Sequence, residues 1–210
     1  MPKVEHPLKA LDKYLPPGTF FPVADYLQKY KVHLTVTRER KTILGNYRNA
    51  HNNLSHRISV NGTLNTFSFL ITLLHELAHL LTYEQYKNKV QPHGREWKTI
   101  YGQLLAWFIQ HKVFPGDIEN ELLATLHNPG ASSCAEEGLM RVLRNYDAKK
   151  DNFTMIEAVP VSCLFKLKDG RVFKKGERLR KRYKCEEVAT KRFFLFSPVY
   201  EVEVVNSLIG

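Results

Sequence analysis

The stretch from Phe67 to Tyr86, FSFLITLLHELAHLLTYEQY, constrains this chain more than any other. On a helix turning about 100° per residue, Leu70, Leu74, Leu77, Leu81 and Phe67 form one side. Phe69, Leu73 and Leu80 widen that side until most of the circumference is apolar. A helix apolar nearly all round belongs inside a domain, not on its surface. Its apolar run, FSFLITLL, is far short of the roughly 20 residues that span a bilayer, and a histidine and a glutamate follow it directly. Burial in protein, with no membrane, is the expectation. Against this background Ser68, Thr72, His75, Glu76 and His79 make a narrow polar notch. Burying two imidazoles and a carboxylate is costly unless each finds a partner.

A metal ion supplies such a partner. Residues four apart are neighbours on one helix face, so His75 and His79 can present ring nitrogens to a single ion. Glu76 is rotated by about one residue, near the ion without being aimed at it, which suits a general base for a metal-activated water. Zinc in a hydrolase takes three protein ligands and keeps one open position. A third histidine six residues after the second is excluded, because Gln85 stands there. Two candidates remain in the segment QPHGREWK, His93 and Glu96. His93 is preferred: it follows a polar loop long enough to fold back over the notch, and a loop histidine needs no particular helix register. Glu96 falls one turn into the next predicted helix and would complete a His-His-Glu set. Arg95 and Tyr101 are candidates to assist an oxyanion, and the sequence does not rank them.

Along the chain, two short helices, HPLKALDKYL and TFFPVADYLQKY, flank the breaker PPG. HLTVTR, ILGNYR and HRISVN have strand character. After the long helix, about Thr66 to Lys87, a second carries Trp97, Ile100, Tyr101, Leu104, Leu105 and Phe108 on its apolar face, and two more helical pieces follow. Near residue 150 the character changes to strands, with Asp169-Gly170 as a hairpin signal. The expected division is an α+β domain over 1–150, a small sheet with its site helix and packing helices, and a small β-hairpin domain over 151–210. A β unit that small is expected to have little core of its own and to lean on the first domain.

The formal net charge is +10, and its distribution matters more than its size. Lys166 to Arg192 holds 12 Lys/Arg against 4 Asp/Glu, while the rest of the chain holds 19 against 17. Such an asymmetry points to a polyanionic partner, most simply nucleic acid. Read as one strand, RLRKRYK places Arg178, Arg180, Arg182 and Lys184 on a single face, and Lys191 and Arg192 bring further charge beside the aromatics of KRFFLF. Three scattered cysteines, Cys134, Cys163 and Cys185, make no disulfide framework, and the N-terminus lacks the pattern of a signal peptide. A reducing, cytoplasmic setting is expected.

HELAH followed by HGREWK resembles the SprT-like metalloprotease family, and LGNYR followed by ISVN is similar to the strands that precede that family's active-site helix. The resemblance covers about residues 18 to 115. It implies a zincin-like fold in which His75, His79 and His93 bind one catalytic Zn²⁺ and Glu76 is the catalytic base. It also implies an endopeptidase acting on protein substrates crosslinked to or associated with DNA, with a DNA-binding region beside the protease domain. Many bacterial members of the family end in a zinc ribbon built from two CxxC pairs. Here Cys163 and Cys185 each lack a CxxC partner, so the C-terminal region resembles a ribbon without its cysteines. The alternative, from another class, is a non-catalytic nucleic-acid-binding protein with a structural or vestigial metal site. Glu76 weighs against it, because a structural site has no need of a base.

Overall fold

The computed structural model describes residues 8–38, 40, 43–51, 54–131, 134, 136–148 and 152–205. A 3₁₀ helix, Lys9–Tyr14, leads into α1, Phe20–Lys29. Three strands follow, β1 (His33–Thr37), β2 (Gly45–Arg48) and β3 (Arg57–Asn61), and then α2 (Thr66–Tyr86), α3 (Arg95–Gln110), α4 (Gly116–Thr125) and α5 (Glu137–Arg144). The sheet order is β1-β3-β2, with β1 parallel and β2 antiparallel to β3. β2 is therefore an edge strand. Chain contacts divide the α+β protein into two units, Met1–Asp147 and Ala148–Gly210.

The apolar stretch folds as its wheel requires. Phe69, Leu70, Ile71, Leu73, Leu74, Leu77, Ala78 and Leu80 are fully buried, and Ser68, Thr72, His75 and Glu76 are buried with them. The helix packs on β2 and β3 and against α3, whose Trp97, Tyr101, Leu104, Leu105 and Phe108 close the same core. Its start is fixed by Asn65, whose side chain accepts the Ser68 N–H at 2.9 Å. The Asn65 amide also donates to the Leu143 carbonyl at 3.0 Å and to Asp147 at 2.6 Å, tying the helix start to the end of α5. Among the described residues no helix is long and apolar enough to cross a membrane.

The second unit is one antiparallel sheet of seven strands: β4 (Phe153–Met155), β5 (Leu164–Lys166), β6 (Val172–Lys174), β7 (Arg178–Leu179), β8 (Arg182–Glu187), β9 (Phe193–Phe196) and β10 (Glu201–Val204). The order is β4-β10-β5-β6-β8-β7, with β9 also on β8. β5 and β6 form the hairpin signalled by Asp169-Gly170: the Gly170 N–H donates to the Leu167 carbonyl at 2.9 Å, and Gly170 takes φ +91°.

Two expectations change here. The unit does have a core of its own, because Ile156, Phe165, Phe173, Cys185 and Val202 are fully buried together. And RLRKRYK is no single strand. It turns back at Arg180-Lys181, pairing Arg178 with Tyr183 and Leu179 with Arg182. Neither turn residue takes a positive φ, so the reversal needs no glycine or asparagine to announce it.

Candidate metal centre

His75 and His79 lie one turn apart on α2, and the loop after that helix brings His93 against them. His93 sits at φ +58°, a conformation uncommon outside glycine, and directly precedes Gly94 at the start of α3. The His75 and His93 Nε2 atoms are 3.3 Å apart, and one nitrogen from each of the three rings lies within 4.8 Å of the others. Nitrogens bound tetrahedrally to one zinc at about 2.0–2.1 Å are separated by roughly 3.3 Å, so the His75–His93 pair already has the spacing such an ion needs. Glu96 stays outside the cluster and lines a separate pocket with Gln85, Tyr86 and Arg95. Among the described residues no other group of His, Cys, Asp and Glu converges in this way.

Burial sets the charge state. It lowers His75 to about 3 and His79 to about 4, and the neighbouring imidazoles add to the effect. His93 is lowered too, first by burial and then by the charge of Lys98. All three rings are therefore neutral at pH 7, which is the form that donates lone pairs to a metal. Trp97 forms the floor, with ring centroids 4.7 Å from His75, 5.3 Å from His79 and 4.7 Å from His93. Tyr101 packs behind it, 5.5 Å from His75, and is buried.

The other side of the cluster is an open cleft. Ile43, Leu44, Gly45, Asn46 and Tyr47 wall it, Glu76 and the three histidines line it, and Ala131 joins from the loop after α4. Burial lifts Glu76 to about 8, against the opposing pull of the Arg40 guanidinium. Arg40 also holds the wall in place: its Nε donates to Asn61 at 2.9 Å, Nη1 to Ser59 Oγ at 3.0 Å and Nη2 to the Leu44 carbonyl at 3.3 Å. Tyr47 lies parallel to His79, 6.4 Å between centroids, and its hydroxyl meets His56 Nδ1 at 2.9 Å. His56 accepts the Ala50 N–H at the same nitrogen, and its Nε2 is 3.3 Å from Glu84. Gly45, Tyr47, Arg40 and His56 belong to the site's surroundings and are not individually legible in the sequence. The one signal for Gly45 and Tyr47 is the proximity of LGNYR to the helix.

Residues 19–117 match the profile of the SprT-like family. A stretch of 32 residues is 56% identical to Protein SprT of Glaesserella parasuis serovar 5 (strain SH0165). Residues 19–117 belong to the SprT-like family. The shared stretch covers 15% of this chain, and the chain spans 20% of that relative's length. No solved structure matches. The SprT-like segment contains β1 to β3, α2, α3, the three histidines and Glu76.

Beyond the SprT-like segment, the basic residues of the second unit are placed differently from the single stripe expected. Arg178, Arg180, Arg182, Lys184, Lys191 and Arg192 are all exposed. Arg182 and Lys184 share the outward face of β8, opposite exposed Leu179 and Leu195. Arg178 is paired with Tyr183 and so lies on the other face, and Arg180 is in the turn. Lys191 and Arg192 stand at the opposite end of β8, where Lys191 is 3.3 Å from Glu186. Alternation over RLRKRYK misplaces these cations because the chain reverses in the middle of it. Arg95 and Tyr101, the candidates for an oxyanion, do not line the cleft; Tyr47 does.

Proposed function

We propose that this chain is a zinc-dependent endopeptidase acting on DNA-associated or DNA-crosslinked proteins. The observation that carries the reading is the convergence of three neutral imidazoles beside Glu76 in a cleft that runs along a strand edge. His75, His79 and His93 would hold a zinc ion, which would supply a Lewis acid for the carbonyl and lower the pKa of water. Glu76 supplies the base. In its ionised form, which a cation bound beside it would favour over the neutral acid that burial prefers, its carboxylate takes a proton from water and passes it to the leaving amine.

The edge strand favours a polypeptide substrate. Asn61 N–H donates to the Leu44 carbonyl at 2.9 Å, and the antiparallel register pairs Asn46 with Ser59. Bonded pairs alternate along an antiparallel ladder, so the N–H and C=O groups of Gly45 and Tyr47 face away from β3. An extended segment can add to those groups as a strand and so pass the scissile bond over the histidines. The basic second unit, Ala148–Gly210, supplies the DNA contact, with Lys184 lying 4.2 Å over the ring of exposed Phe193. The three free cysteines suit a reducing compartment, the cytoplasm.

Bound zinc and cleavage of a protein substrate, with and without DNA, test this for wild type and Glu76→Gln. The variant is expected to keep its zinc and lose cleavage by about 10²-fold or more. Protein free of zinc after metal-replete expression, or a Glu76→Gln variant as active as wild type, overturns the reading. Zinc and DNA bound by a wild type that cleaves nothing is the non-catalytic alternative.

A further inference from the structure

The structure assigns a positioning role to Gly45: the side chain it lacks is the space that the Glu76 carboxylate occupies. This rests on the peptidase reading, in which Glu76 is the base. A Cβ built at Gly45 collides with Glu76 Oε1, lies 2.9 Å from Glu76 Cγ and lies 2.7 Å from Thr72 Cγ2. The backbone does not call for glycine here. Gly45 is not among the residues with positive φ, and it pairs with Val60 as an ordinary strand residue. Glycine weakens a strand, and its use there marks a close approach by another group. The approaching group is the one side chain of the cleft that the chemistry needs as a base.

The neighbours decide what moves when the space is filled. Val60 and Ile58 of the central strand are buried, as are the residues of α2 on both sides of Glu76, so neither backbone can retreat cheaply. The carboxylate is the end of a flexible side chain and gives way first. On the same face of β2, Tyr47 meets His79, so the strand presents an empty position to Glu76 and a ring to the ligand one turn later. A side chain at position 45 therefore displaces the base and presses on the buried Thr72 methyl, and misplacing a catalytic group by about 1 Å can cost about 10²-fold in rate.

The test is kinetic and structural. Gly45→Ala is expected to lower kcat at least about tenfold, with KM and zinc content close to wild type. In a Glu76→Asp background, whose carboxylate is one methylene shorter, the same substitution is expected to cost less than about threefold, because the two positions act as one unit. Gly45→Ala with Thr72→Ser removes the methyl contact and isolates the contact with Glu76, should the single variant fold poorly. A crystal structure of Gly45→Ala is expected to show the Glu76 carboxylate displaced. An undiminished kcat, an equal loss in the Glu76 and Glu76→Asp backgrounds, or an unmoved carboxylate overturns the assignment. If wild type itself cleaves nothing, the peptidase reading fails, and the carboxylate position in the variant still decides this one.

Discussion

His75 and Glu76 are neighbours in the chain, and one cause, burial, shifts them in opposite directions until both are neutral at pH 7. This gives the metal-free protein a particular pH profile. From ordinary values of 6.5 for the histidines and 4.5 for the glutamate, folding moves His75 to about 3, His79 to about 4 and Glu76 to about 8. Between about 4.5 and 6.5 the unfolded chain gains protons on both histidines while the folded chain keeps one on Glu76, so stability rises with pH. Between about 6.5 and 8 only the Glu76 difference remains, and stability falls as pH rises. The metal-free protein is therefore expected to be most stable near pH 6.5, and Glu76→Gln to abolish the alkaline decline. Urea midpoints of chelator-treated wild type and variant, at about pH 5, 6.5 and 8.5, check both statements. A wild-type midpoint that rises above pH 6.5 counts against them. His75, Glu76 and His79 were legible because a single turn of helix fixes their mutual placement. His93 depended on a loop folding back, and its left-handed φ has no signature in the letters around it.

At the scale of elements, α2 owes its entry to Asn65, which caps the helix and bonds the end of α5. Asn65→Ala is expected to cost about 1–2 kcal/mol, the cap plus the tie to α5, measured by urea unfolding of the metal-loaded protein. A loss below about 0.5 kcal/mol leaves the tie without energetic weight. Periodicity located α3 and β3 directly, because one face of each is buried, while α2 is buried nearly all round and β1 and β2 are only half-buried. It failed at β7 and β8. Period-two alternation continues through a turn that both arms enter with exposed cations, and no residue there marks the reversal. The core of the second unit was hidden for a different reason: the Phe165–Phe173 hairpin meets Cys185 and Val202 from two further strands, each contributing a single buried position there.

The whole molecule divides its charge unevenly: Lys166 to Arg192 carries a net +8, from 12 basic and 4 acidic residues. If that region holds DNA, affinity falls steeply with added salt. Replacing Arg178, Arg180 and Arg182 by Gln is expected to make the salt dependence shallower, by about 0.9 in logarithmic slope for each duplex phosphate that the variant no longer neutralises. Binding that ignores salt, or a slope unchanged in the triple variant, removes the electrostatic argument. The first unit carries a different consequence, one that follows from the burial of α2. The helix bearing His75, Glu76 and His79 is the innermost element, so its amide protons exchange with solvent only when the whole unit opens, whereas those of residues 88–93 exchange through local fluctuations. Hydrogen exchange is expected to give Leu74 to Leu80 the full unfolding free energy of the unit. A partly opened copy therefore loses His93 from the cluster first, while His75 and His79 keep their mutual placement until the entire unit comes apart.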